Sequence, residues 1–383
     1  MRELSFPQSS TREVGNPSEK FPDRFRPNRN DILEVKILTD NNANPFHLLD
    51  FKTKATLPLR MHLDDIFTSH ETDLRLAEDR MKDLFQSPVL TIPLIGQHIL
   101  DGGGKRMRPL ILLLSSELSG YTGDARLTLA GIIESIHTAS LLHDDVVDSA
   151  DIRRGKTPAH SIWGNQVVIL MGDFLYSNAL RLAVRQESQR IMEALSEATT
   201  RMTEGELLQL SKTGDPDITE DDYLAIISAK TAALISAACR IGAILGSLPE
   251  EKENALAMFG KKVGMAFQMA DDILDYMADE GELGKRLGKD LREGKITLPL
   301  IYLLKKADPR EKDEVRKIIQ AGVKKSGLMK ILSLFKKYTI IETSLLKADH
   351  LIAEAKAELS LFPDSPAKEA LFSIADYSLS RSK

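Results

Sequence analysis

Apolar positions recur every three to four residues over most of the chain after residue 60, and a strict alternation of period two is nowhere sustained. The pattern predicts helices over 107–118, 125–148, 166–186, 188–210, 219–246, 250–278 and 296–305. Later periodic segments predict helices near 310–322, 326–337, 340–359 and 365–379. Ser87-Pro88 and Gly102–Gly104 interrupt the periodicity upstream. Segments 125–143 and 224–246 are apolar or small nearly all round, which places them in the middle of an assembly of helices. The expected fold class is all-α.

Residues 1–60 have a different texture. They hold six of the chain's sixteen prolines, polar punctuation at 27–31 and 41–45, and little apolar periodicity. This stretch is expected to be disordered or weakly ordered, with one helical domain spanning 61–383.

Charge and composition narrow the options. The net charge of −5 comes from 51 basic and 56 acidic residues, without the basic surplus that sequence-independent nucleic-acid binding needs. The single cysteine, Cys239, excludes an internal disulfide framework and a multi-cysteine zinc site. No uncharged apolar run approaches the roughly 18 residues that span a bilayer, and the first residues lack an apolar stretch suited to secretion. The expected location is the cytoplasm, with any membrane contact peripheral.

Two aspartate clusters carry the chemistry. In His143-Asp144-Asp145-Val146-Val147-Asp148, a helix puts Asp144 and Asp148 on one face, with His137 on the same stripe. Asp271-Asp272-Ile273-Leu274-Asp275 repeats the spacing through Asp271 and Asp275, with Gln268 one turn earlier. Each follows an apolar helix, where repelling carboxylates are costly unless a cation holds them. Hard oxygen ligands point to Mg²⁺, which keeps several waters and bridges carboxylates to phosphates. Two such clusters suggest a diphosphate held between them.

Basic residues complete that picture. Gly102-Gly103-Gly104-Lys105-Arg106-Met107-Arg108-Pro109 opens a helix, where glycines and the helix N-terminus favour an anion. It is not a Walker loop, because Ile99 replaces the first glycine and Arg106 follows the lysine. Arg153 and Arg154 follow Asp148 closely enough to reach a phosphate bound there. Lys230 interrupts a long apolar run and needs a partner if buried. Lys285, Lys289 and Lys295 follow the second cluster.

The segments GGGKRMRP, LLHDDVVDSADIRRGKTPAHSIWGNQ, GDFLYS, EGELLQL, KTAALISAA, FQMADDILDY and LGKDLREGKITLPL together resemble the trans-isoprenyl diphosphate synthase family, in its long-chain octaprenyl or solanesyl form. The resemblance covers 61–383. It implies a helical bundle around a central substrate cavity, homodimerisation, and Mg²⁺-dependent addition of isopentenyl diphosphate to a farnesyl or geranylgeranyl diphosphate primer. Three Mg²⁺ per site are expected. It further implies that Asp144 and Asp148, with Asp145 beside them, bind metal on the allylic diphosphate. Asp271, Asp272 and Asp275 form the second metal motif. Lys105, Arg108, His137 and Arg154 hold isopentenyl diphosphate, while Arg153, Lys230, Thr231 and Gln268 contact the allylic substrate. Lys285, Lys289 or Lys295 adds to the diphosphate site; Arg286 breaks the family's usual spacing there.

Ala139 and Ser140, small residues just upstream of the first cluster, imply a deep tunnel and a long product. Three other readings remain on the sequence: a shorter-chain synthase, a class I terpene cyclase or head-to-head condensing enzyme, and a non-catalytic subunit of a heteromeric synthase. GGGKRMRP and His137 argue against a cyclase, and the intact aspartate clusters argue against a non-catalytic subunit.

Overall fold

The computed structural model describes residues 61–148, 157–277 and 287–380. Residues 1–60, Arg153, Arg154 and Lys285 lie outside the described residues. Among those described, the regular structure is helical and no strand occurs.

The chain begins with α1 (Leu63–Ser69), α2 (Glu71–Asp83), α3 (Thr91–Asp101) and α4 (Met107–Leu118). It continues through α5 (Ala125–Val147), α6 (Ala159–Trp163), α7 (Asn165–Val184) and α8 (Gln189–Lys212). Next come α9 (Glu220–Ile227), a π-helical turn (Ser228–Ala232), α10 (Ala233–Leu245) and α11 (Glu250–Leu274). After the second aspartate cluster follow α12 (Lys289–Arg292), α13 (Leu298–Lys306), α14 (Pro309–Gln320), α15 (Lys325–Lys337), α16 (Ile340–Glu358) and α17 (Pro366–Ser380).

Local chemistry explains several boundaries. Thr219 and Asp222 form a reciprocal capping box at the start of α9. The Asp308 carboxylate accepts the Glu311 N–H at 3.0 Å, and Pro309 fits the first position of α14. The helix expected over 250–278 ends earlier, at Leu274. There the Asp275 carboxylate turns to accept the N–H groups of Lys289 and Asp290, drawing the chain into a new direction.

The two segments expected in the middle are there. Ten of the thirteen residues of α10 are buried, and α10 packs on α4, α5, α8 and α11. Close contact with α4 depends on Gly242, where a Cβ would fall 2.5 Å from that of Ser115. Helix α5 is buried by α2, α4, α7 and α10. At roughly 1.5–3 kcal/mol per fully buried large aliphatic side chain, residues such as Ile132, Ile133, Ile136 and Ile241 make these helices the fixed frame. Both α7 and the run Glu220–Leu245 are long and apolar enough, by length and composition, to cross a membrane. The α10 portion of that run belongs to the core, whereas α7 leaves Ile169, Leu170 and Val184 exposed.

The continuous helix expected over 219–246 resolves into α9, the π turn and α10. Apolar periodicity does not register a single widened turn inside one apolar run.

Candidate active site

Both aspartate clusters occupy the C-terminal ends of buried helices. Asp148 caps α5, its N–H bonded to the Asp144 carbonyl at 2.8 Å, and Asp275 caps α11. A helix C-terminus is itself negative, so carboxylates there add to the field of the helix dipole. The two helix ends together make a region that calls for cations.

The second cluster is held by an ordered network. Asp272 is only 4% exposed. It accepts the Tyr223 hydroxyl at 2.6 Å and the Gln268 amide at 2.8 Å, while the Gln268 carbonyl accepts the Thr231 hydroxyl at 2.9 Å. Burial, reinforced by the Asp290 charge, pushes the Asp272 carboxyl up to about 8. The same two causes push Asp275 up to about 6, against the two backbone N–H groups that favour its charge. Asp290 is itself raised, chiefly by burial.

The loop after α11 ties the two clusters together. Gly288 (φ 66°) and Gly294 (φ 80°) adopt left-handed conformations at either end of the short α12, which lets the loop double back. Lys295 emerges from it. Its ammonium donates to Asp148 at 3.1 Å and to Glu293 at 2.9 Å. Burial opposes the Lys295 charge, but those two carboxylates outweigh it and hold the lysine protonated. A cation from the second half of the domain thus rests on the first cluster. Lys289 points elsewhere, pairing with Glu293 at 3.3 Å on a largely exposed side chain.

Lys230 and Thr231 lie in the π turn, a form of helix often found at functional positions. The Lys230 ammonium forms an ion pair with Glu206 and donates to Gln209 Oε1 at 2.9 Å, both on α8. These are the partners its burial required. Gly205 permits the approach, since a Cβ there would meet the Lys230 backbone N at 2.5 Å.

Two cavities result. One is lined by Gln209, Lys230, Thr231, Gln268, Asp272 and Lys295. The other is lined by Gly102, Gly103, Arg106, Glu134, His137 and Asp145 among apolar side chains. The structure therefore separates the expected allylic residues from His137 while keeping both groups next to the aspartate helix ends. Lys105 turns away from the His137 cavity and bonds the Tyr377 hydroxyl of α17, with its ammonium 5.1 Å from that ring's centre. Arg108 is half-buried at the start of α4.

Ala139 is fully buried in an apolar cluster with Met81, Phe85, Ile95, Leu142 and Leu175. It serves there as close packing between helices. Ser140 is half-buried, and its hydroxyl donates to the His137 carbonyl at 2.8 Å.

Residues 91–334 match the family model for polyprenyl synthetase. The chain belongs to the polyprenyl synthetase family. It is a prenyltransferase. The octaprenyl diphosphate synthase of Escherichia coli (strain K12) is 39% identical over 323 residues, covering 84% of this chain and all of the relative. A short chain isoprenyl diphosphate synthase of Methanothermobacter thermautotrophicus is 38% identical, covering 74% of this chain and 89% of that one. A crystal structure of a polyprenyl synthase from Caulobacter crescentus CB15, complexed with calcium and isoprenyl diphosphate, is 38% identical. Its TM-score is 0.79, with 85% of this chain and 100% of that one covered.

Polyprenyl synthetases are magnesium-dependent enzymes. Among the described residues, no three His, Cys, Asp or Glu side chains converge as a ready-made metal cage. The donor set still fits a hard cation: oxygen ligands only, on two negative helix ends, with Asp272 and Asp275 raised by crowding and burial. Several residues of this prenyltransferase escaped the sequence reading. Glu206 and Gln209 stand in EGELLQL, and Asp290 and Glu293 in LGKDLREGK, so the segments were visible but the roles were not. Tyr223 carried no signal at all.

Proposed function

We propose that the enzyme is a long-chain trans-polyprenyl diphosphate synthase, adding isopentenyl diphosphate repeatedly to farnesyl or geranylgeranyl diphosphate and releasing diphosphate at each cycle. The observation that carries this reading is Lys295 on Asp148, which joins the two aspartate helix ends into one anion-binding site. Magnesium ions, three in the full complex, supply charge neutralisation of the diphosphate when bound at Asp144, Asp148, Asp271 and Asp275.

The chain's own residues do the rest. Lys295 and Lys230 exchange their carboxylate partners for phosphate oxygens of the allylic substrate, joined by Arg153. The charges of Lys295 and Lys230 are already beside the aspartate helix ends, so little reorganisation of these two accompanies departure of the diphosphate. Thr231 and Gln268 present oxygen dipoles to the allylic cation. Arg108, His137 and Arg154, with Lys105 once it leaves the Tyr377 hydroxyl, hold isopentenyl diphosphate so that its double bond faces that cation. The allylic carbon–oxygen bond breaks first, its electron pair leaving with diphosphate, and the double bond of isopentenyl diphosphate then attacks the cation to form the new carbon–carbon bond. The proton then leaves for the released diphosphate, the base nearest the new bond. Apolar walls keep water from the cation.

Support for a long product comes from the octaprenyl relative and from the small, half-buried Ser140. The short-chain relative at almost the same identity favours a second reading, a shorter product. Ser140→Phe is expected to shorten products. Ala139→Phe is expected to do so at a stability cost of about 1–3 kcal/mol, because it overpacks a closed cluster. A homodimer built on the exposed apolar face of α7 and a cytoplasmic location with at most peripheral membrane contact complete the reading.

The test is incubation of the purified chain with farnesyl diphosphate, isopentenyl diphosphate and Mg²⁺, followed by chromatography of the dephosphorylated products. Elongated products support the reading and report chain length. Absence of elongation overturns it.

A further inference from the structure

Arg106 adopts a conformation that normally belongs to glycine. Its φ is 50° and ψ 35°, left-handed, at the cap of α4. A side chain in that region is strained and persists only where its surroundings hold it. Two carboxylates from two other helices do so. Arg106 Nη1 donates to Glu134 Oε1 at 3.0 Å, and its Nε lies 3.7 Å from Glu78. Glu134 sits on α5 and is only 5% exposed, and Glu78 sits on α2.

The location gives the strain a purpose. Glu134 and Arg106 line the same cavity as His137, Gly102 and Gly103. Glu134 stands one helical turn before His137, and its backbone carbonyl accepts the Thr138 hydroxyl at 2.8 Å. A buried carboxylate in a cavity meant for a diphosphate repels its ligand unless a cation neutralises it. Arg106 supplies that cation, its guanidinium committed to carboxylates. Its left-handed backbone also sets the direction of the chain at Lys105 on one side and Arg108 on the other. A return to ordinary right-handed or extended backbone would swing Lys105 and the glycine turn relative to α4.

We propose that Arg106 and Glu134 are a positioning pair for the isopentenyl diphosphate end of the site. The pair locks the Gly102–Lys105 turn against α5 and cancels the Glu134 charge inside the cavity. This inference rests on the function proposed above and deepens it.

The test uses the full chain as wild type, Arg106→Gln, Glu134→Gln, the double variant, and Arg106→Lys. Three readouts are taken: calorimetric titration with isopentenyl diphosphate alone, KM for each substrate, and the thermal midpoint. Each single glutamine variant is expected to weaken isopentenyl diphosphate binding about tenfold or more, with the allylic KM changed by less than about twofold. The double variant should be no worse than the worse single, because one interaction is lost in all three. Arg106→Lys, which keeps the charge but not the planar fork, should fall between wild type and Arg106→Gln.

Additive losses would assign Arg106 directly to the substrate and overturn the pairing. An equal rise in both KM values, or a lowered midpoint with unchanged isopentenyl diphosphate affinity, would reduce the pair to a fold-stabilising contact and overturn it as well. The titration needs no turnover. A wild type that binds but fails to elongate therefore refutes the proposed function while the pair is still judged. A wild type that binds nothing overturns both.

Discussion

The two aspartate clusters share one spacing and one position, the end of a buried helix, yet they are held in different ways. The second is prepared from within: Tyr223 and Gln268 fix Asp272, and two backbone N–H groups fix Asp275. The first is held from outside, by Lys295 on Asp148. The second cluster keeps its geometry through neutral donors that remain when ligand arrives. In the first, the cation on Asp148 has a competing use.

The sharpest break of this comparison comes from the metal carboxylates themselves. Asp144→Ala and Asp271→Ala should each lower kcat on the order of 10²–10³-fold or more, read by incorporation of isopentenyl diphosphate. An Asp271→Ala enzyme at near wild-type rate would make the second cluster purely structural.

Acidity separates the second cluster next. Its buried Asp272, raised to about 8, contributes stability as the protonated acid. That contribution is fully present below the ordinary carboxylate value of about 4 and is lost as pH rises toward about 8. Asp275, raised to about 6, has the same sign over a lower window. Thermal midpoints in chelator should therefore fall from pH 5 to 8.5 for the wild type. Asp272→Asn should flatten that slope and exceed the wild type at the alkaline end. Parallel curves would sink the assignment.

Lys295→Ala tests the outside support. It should lower kcat/KM for the allylic substrate by about tenfold to a hundredfold, as expected for a charge-assisted contact to phosphate. It should also lower the midpoint in chelator more than in Mg²⁺, since the metal replaces the missing charge. An equal loss under both conditions would break the idea that Lys295 and the metal share a place. Tyr223→Phe should show the smallest effect. About 1–2 kcal/mol of stability goes with the hydroxyl that Asp272 accepts, measured by denaturant unfolding. Unchanged stability would mean that Gln268 alone holds Asp272.

Much of this was legible in the sequence because it is local. Helix α4 begins and ends where the periodicity placed it, and both aspartate clusters fall on the last turns expected of them. Lys230 asked for a partner by interrupting an apolar run, and it has one. What escaped was the other half of each pairing. Tyr223 reaches Asp272 across 49 positions, and Lys295 reaches Asp148 across 147. No periodicity relates residues so far apart. Ala139 shows the same limit from the other side: a small residue beneath a site reads as open space, and whether a neighbouring helix fills that space depends on Met81 and Leu175.

The π turn at Ser228–Ala232 has a consequence for heredity as much as for chemistry. It holds roughly one residue more than an α-turn would, and each residue of an α-helix advances the chain by about 100°. A single-codon deletion there would still encode an unbroken helix. Yet Gly242, which now meets Ser115, would turn away from α4. Upstream, Lys230 and Thr231 could not keep their present bearings. The widened turn acts as a phase adjuster, letting one continuous run of sequence aim its polar pair at one target and its small-residue face at another. Insertions and deletions in those five positions should be tolerated far less than substitutions that preserve their number.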